Sequence, residues 1–299
     1  MSRKYFLFSG ITIMLMLGVY DFVYSIQEFA FLHSFNGGIT PFIFSLVALG
    51  LCIPALVLAI KAFKRKENNL VASVFLIVAA VSYFGYRIVS VASMLGTLLR
   101  HDEPIYVSLS WVVYGVEEFL IGLLPVVLAV FSLFDFKKNQ QDYDVSSKVS
   151  NVFYYIAMAI ALQSFIIFSL IGARIAFVIN SYAGNAVLDC LIYSLSGLAI
   201  LGLITPSFIM SFFKNKDKFV NRVLLLVASI LVTVTYIWST KNSIDSINSF
   251  ASPYNNVSIF FEVFGNLMTV SVIMVAAILS FKKFKGKEPE ITQTNNELE

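Results

Sequence analysis

Residues Trp111–Lys138, WVVYGVEEFLIGLLPVVLAVFSLFDFKK, decide the fold. The run is long enough to cross about 30 Å of hydrocarbon as a helix. It carries two adjacent carboxylates, Glu117 and Glu118, and ends in a basic pair. A second copy of the pattern follows near the end of the chain, Glu262–Lys283, EVFGNLMTVSVIMVAAILSFKK. The interval from Glu117 to Lys137 equals that from Glu262 to Lys282.

The composition around these stretches is that of a membrane protein. Hydrophobic residues make up 58% of the chain and charged residues 13%, against about 25% charged in soluble domains. Apolar runs of about 20 residues recur throughout, and in lipid such runs must be helices because backbone groups have no water to bond. Their length excludes the short strands of a barrel. The spacing predicts an all-α integral membrane protein with eight transmembrane helices, at 5–27, 41–63, 70–98, 105–134, 150–179, 186–212, 221–240 and 257–281. The first is read as a retained helix, since Asp21, Tyr24 and Glu28 follow where a cleavage site would stand.

Orientation follows from the basic residues. The segments on the amino-terminal side of the bilayer hold Arg3, Lys4, Lys61, Lys64, Arg65, Lys66, Lys137, Lys138, Lys148, Lys214, Lys216, Lys218, Arg222, Lys282, Lys283, Lys285 and Lys287. Only Arg100 and Lys241 fall on the other side, with Arg87 and Arg174 inside spans. This asymmetry predicts both termini in the cytoplasm and an even number of spans. It also gives the net charge of +3 a topological meaning, so no nucleic-acid partner is expected.

The two halves read as a repeat. Residues 43–54, IFSLVALGLCIP, match 192–206, IYSLSGLAILGLITP, with the same ending at Pro54 and Pro206. A basic collar follows each, at Lys64-Arg65-Lys66 and at Lys214-Asn215-Lys216. Leu70-Val71-Ala72-Ser73 then matches Leu226-Val227-Ala228-Ser229, and Ala30-Phe31 matches Ala176-Phe177. A duplicated four-helix unit enters the membrane the same way twice, giving parallel repeats about an axis along the membrane normal. The expected organisation is repeat 1 over 1–136, a cytoplasmic linker over 137–149, repeat 2 over 150–283 and a disordered tail over 284–299.

Ionisable residues inside spans are costly and mark candidate sites. Counted from the basic collars, Arg87, Glu117, Glu118, Lys241 and Glu262 all lie roughly 27–30 Å up, near the outer edge of the hydrocarbon. Asp21 falls nearby, while Glu28, Arg174 and Asp189 lie further out. The repeat pairs Arg87 on helix 3 with Glu117 and Glu118 on helix 4, and Lys241 on helix 7 with Glu262 on helix 8. Adjacent helical positions point about 100° apart, so one arginine cannot easily serve both glutamates and the second is free to hold a proton. Two readings stand side by side. The charges form structural pairs or snorkel to the headgroups, or they line an outward-facing site with Arg87 and Lys241 as anion contacts, Glu117, Glu118 and Glu262 as cation or proton sites, and Asp21, Arg174 and Asp189 around its mouth.

Several chemistries are excluded. Glu117-Glu118 resembles the start of the EExxxR motif of CAAX-protease-like proteins, but Gly122 stands where the arginine belongs. The two histidines, His33 and His101, fall in outer segments, which leaves no zinc site, paired haem ligand or histidine base within the bilayer. Cys52 and Cys190 lie in spans at depths differing by roughly 20 Å, too far for a disulfide. No phosphate loop or nucleophile elbow is present. No catalytic residue, metal or cofactor is expected. Pro54, Pro125 and Pro206 are read as tolerated kinks, and Gly115 and Gly122 as positions of close helix approach.

The expected partners are the lipid bilayer, a small solute or ion, and a membrane-protein partner. The expected function is transporter-like or channel-like, through the outward charged layer. The alternative is a non-catalytic accessory, sensor or immunity-type protein acting through helix–helix binding. Short loops point to a bacterial plasma membrane.

Overall fold

In the computed structural model, the described residues are 3–31, 35–65, 70–98, 104–134, 145–179, 185–212, 219–249 and 253–282. Their regular secondary structure is all helix, in α1 (Arg3–Phe31), α2 (Phe35–Arg65), α3 (Leu70–Leu98), α4 (Ile105–Phe131), α5 (Val145–Phe177), α6 (Ala186–Phe212), α7 (Phe219–Ser249) and α8 (Pro253–Phe281). Each contains a stretch long and apolar enough to cross a membrane. The helices outrun the predicted spans where polar residues continue the helix beyond the apolar run, as with Asn242, Ser243 and Asp245 at the end of α7. Helix α5 starts at Val145 and so takes in the last part of the expected linker. The rest of that linker, the tail over 284–299, His33 and His101 lie outside the described residues.

Small residues set how closely the helices approach. Ala48, Cys52, Ala55 and Ala59 recur along one face of α2 and are wholly buried, while Ile43, Leu46, Ile53, Val57 and Ile60 are exposed on the same helix. That division matches a helix with a neighbour on one side and acyl chains on the other. Between α5 and α6 the fit is reciprocal. Gly172 lies against Ser194 and Gly197 against Ser169, each with backbone atoms of the facing serine in van der Waals reach of an added Cβ. Pro54, Pro125 and Pro206 all sit inside continuous helices.

Helices α1 and α5 are the most buried and form the axis of the bundle. Helix α1 packs on α2, α3 and α4, and α5 packs on α6, α7 and α8. The two sets meet along α1–α5, α4–α5 and α1–α8. At the amino-terminal end of α1 the junction is aromatic and closely packed. Tyr5 stacks on Tyr155 with ring centroids 5.0 Å apart, and Phe6 meets Phe131 edge-on at 5.3 Å. A polar node ties α5, α7 and α8 at this same end. Arg222 donates to the Ser150 hydroxyl (2.6 Å), to Asn151 Oδ1 (3.0 Å) and to the Ser280 carbonyl, and Ser150 donates to that carbonyl as well.

Candidate functional site

The other half of the bundle, away from the amino-terminal end of α1, is not packed solid. A cavity of about 450 Å³ opens between α1, α3 and α4 on one side and α5, α7 and α8 on the other. Its wall carries Asp21, Arg87, Glu117, Glu118 and Glu262. Neutral polar groups complete it: Tyr20, Tyr24, Tyr86, Tyr114 and Tyr236, with Gln163, Asn266, Ser90, Ser239 and Thr269. The volume falls in the range of about 300–1,000 Å³ usual for small-molecule sites.

Arg87 is the centre of the charge network. From α3 its Nη2 donates to both carboxylate oxygens of Asp21 on α1, at 3.0 and 3.2 Å. Its Nη1 donates to Glu118 on α4, and its Nε lies 3.0 Å from the Tyr83 hydroxyl one turn earlier. The guanidinium also stands over the Tyr83 and Tyr86 rings, at 5.0 and 5.6 Å from their centroids. A guanidinium is planar and carries five donors, so one arginine can tie three helices where a lysine would not.

Glu117 looks the other way. Its Oε2 stands 3.5 Å from Arg174 Nη1 on α5, and that oxygen accepts no hydrogen bond from a described residue. Arg174 in turn lies over the Tyr114 ring, 4.8 Å from its centroid. The Arg87–Glu118 pairing anticipated from sequence is therefore present, and the adjacent glutamate is held by a second arginine from the other half. Asp21 and Arg174, expected around the mouth of the site, are the partners that complete these pairs.

The pairing anticipated between Lys241 and Glu262 is not there. Lys241 is exposed and lies over the Trp238 ring at 5.1 Å, with no ion pair to a described residue. Glu262 instead has hydroxyl neighbours, Ser243 Oγ at 2.6 Å and Ser239 Oγ at 3.4 Å. The two positions lie at similar depth, but helical rotation sends Lys241 out of the bundle and leaves Ser239 and Ser243, one turn apart, facing α8. Asp189 is also placed apart from the cavity. It is buried between α6 and α7, where its Oδ1 accepts from Trp238 Nε1 (2.9 Å) and Asn242 Nδ2 (2.8 Å).

Residues that sequence reasoning did not single out make up much of the wall. On α8, Gly265, Asn266 and Thr269 follow Glu262 at spacings that put them on a single face with it, a polar stripe readable in an otherwise apolar segment. Asn266 Nδ2 donates to the Thr240 hydroxyl (3.1 Å), which ties α8 to α7 beside Glu262. Gln163 is a lone polar position in α5. It is 8% exposed and its Oε1 accepts no hydrogen bond from a described residue.

Eight long apolar helices around a charged interior cavity are the architecture of a polytopic membrane protein. No protein-family model matches the chain, and no curated protein or solved structure matches it either.

Proposed function

We propose that the chain is a transporter-like or channel-like protein of the plasma membrane that binds a small solute or ion in the central cavity. In this reading it consists of two parallel four-helix repeats with both termini in the cytoplasm, so the cavity faces outward. The matched helix contacts of α1–α4 and α5–α8 support the repeat. So does a shared detail at the far ends of α4 and α8, where Ser132 bonds the Ala129 carbonyl and Ser280 that of Ala277, each at 2.6 Å.

The observation that carries the reading is the unequal charge of the cavity. Helix-orienting ion pairs need no void between them and need no surplus of one sign. Here Glu262, an exposed residue on the cavity wall, has the Ser239 and Ser243 hydroxyls beside it and no basic partner among the described residues. Packing of Tyr5, Phe6, Phe131 and Tyr155 at the opposite end is what an outward-open resting state requires.

Reconstitution into vesicles tests this. Purified protein is expected to accelerate flux of a small ion or solute from a panel covering inorganic cations, chloride, amines and amino acids. Glu262→Gln should abolish that flux while the protein remains folded. Unchanged flux across the whole panel, with the protein correctly inserted, overturns transport in favour of an accessory protein acting through helix–helix contacts.

A further inference from the structure

We propose that the ligand of the central cavity is an organic ammonium ion, held by the field of its carboxylates and by tyrosine rings. The inference rests on the solute-site reading above and names the chemical class of the solute.

Charge is the first argument. Four carboxylates, Asp21, Glu117, Glu118 and Glu262, face the cavity, and two guanidinium groups answer them. Both are already engaged, Arg87 by Asp21 and Glu118, and Arg174 by Glu117. Among the described residues the wall therefore keeps a net negative charge, shared between Glu262 and the Asp21–Arg87–Glu118 cluster, which attracts a cation and repels an anion.

The spread of that charge argues against a divalent metal ion as the occupant. Among the described residues no three Asp, Glu, His or Cys side chains converge as metal ligands do. Mg²⁺ and Ca²⁺ take six or more oxygens at about 2.0–2.6 Å. A diffuse carboxylate field in a cavity of about 450 Å³ suits instead a cation whose charge is spread over a larger body.

Aromatic faces are the third argument. Within this site two resident cations already sit on tyrosine rings, Arg87 over Tyr83 and Tyr86 and Arg174 over Tyr114. Cation–π attraction of this kind is the usual means of holding alkylammonium groups. Tyr20 brings a further ring beside Glu262. It lies against Gly265, where an added Cβ would come within 2.9 Å of the ring, and Gly265 is one turn along α8 from Glu262. Glycine at this position lets the ring lie beside the unmatched carboxylate.

Beyond the charge balance, the wall contains unsatisfied acceptors. Gln163 is 8% and Glu117 7% exposed, and Gln163 Oε1 and Glu117 Oε2 are buried without a hydrogen bond from a described residue. Buried acceptors are seldom left unbonded, and an N–H or O–H of the bound solute would supply the donor.

Calorimetric titration of the purified full chain with choline chloride tests the assignment. Its uncharged isostere 3,3-dimethylbutan-1-ol, sodium chloride and sodium glutamate serve as comparisons. Saturable binding of choline is expected, with the isostere about tenfold weaker or worse. Glu262→Gln should weaken choline by about tenfold and Tyr20→Leu by a smaller factor, while Lys241→Gln leaves it unchanged. Equal binding of choline and its isostere, or Glu262-dependent binding of sodium or glutamate in place of choline, overturns the ammonium assignment and keeps the cavity as a solute site. No saturable binding by any of the four overturns both.

Discussion

Glu117 and Glu118 are neighbours in the chain and answer to different arginines on opposite sides of the bundle. Glu118 takes Arg87 from α3, and Glu117 faces Arg174 from α5. The first pair is an internal tie of α1–α4. The second reaches across the seam between α4 and α5. Two carboxylates about 100° apart on one helix thus connect both the interior of one half and its boundary with the other.

The two pairs should differ in strength, and double-mutant cycles on detergent-purified protein will show it. Side chains of Arg87 and Glu118 are 12% and 13% exposed, so Arg87→Gln strands Asp21 and Glu118 and should cost about 3–5 kcal/mol. Arg87→Gln combined with Glu118→Gln should recover part of that loss, with a coupling above about 1 kcal/mol. Arg174 is 36% exposed and stands 3.5 Å from Glu117 without a hydrogen bond, so its coupling should stay below about 1 kcal/mol. Equal couplings would mean that α5 is held to α4 as firmly as α3 is.

Glycines of the α5–α6 seam offer a test of packing. A Cβ on Gly172 would stand 3.0 Å from the backbone nitrogen of Ser194, and one on Gly197 3.2 Å from that of Ser169. Backbone cannot rotate away as a side chain does, so Gly172→Ala should force α5 and α6 apart and destabilise by about 1–3 kcal/mol. Gly202 on the same helix has nothing within 4 Å of its Cβ position. Gly202→Ala should be neutral, or stabilising by up to about 1 kcal/mol through helix propensity. Thermal unfolding of the two variants separates the seam from the lipid face.

How far the sequence could be read follows from what each signal reports. Hydropathy fixes where a helix crosses lipid, because every residue of a span meets the same solvent, and the eight helices fall where the apolar runs predict. Counting from basic collars gives depth, which is why Arg87, Glu117, Glu118 and Glu262 were legible as one layer. Depth does not give rotation. Lys241 matches Glu262 in height, yet its helix turns it outward, and Ser239 and Ser243 occupy the place beside the carboxylate. Asp189 stands apart from the cavity for a related reason, since its partners Trp238 and Asn242 come from a helix whose facing side the apolar pattern does not mark. Tyr20 and Gln163 become visible as cavity residues only once six helices are brought together.

That rotation yields a prediction of its own. Lys241 and Glu262 form no ion pair, so the effects of Lys241→Gln and Glu262→Gln on unfolding should add within about 0.5 kcal/mol. Ser243→Ala should instead couple with Glu262→Gln, because Ser243 Oγ stands 2.6 Å from the carboxylate. Coupling between the lysine and the glutamate would place the third and fourth helices of the second half in a different rotational setting.

Electrostatics and topology can be read together from one engineered thiol. Ser239 lines the cavity beside Glu262, in the half of the bundle away from the amino-terminal end of α1. In the proposed orientation, Ser239→Cys in a chain lacking Cys52 and Cys190 should react with membrane-impermeant thiosulfonates added outside intact cells. Lys64→Cys, at the exposed end of α2, should react only after permeabilisation. The negative wall concentrates cations and repels anions. The trimethylammonium reagent should therefore modify Ser239→Cys faster than its sulfonate counterpart by about tenfold, after correction for their rates with a free thiol. Raising the salt concentration should narrow the ratio, and Glu262→Gln should narrow it at constant salt. Modification of Lys64→Cys from outside would invert the bundle in the membrane. A ratio near one at Ser239→Cys would remove the negative field on which recognition of a cation depends.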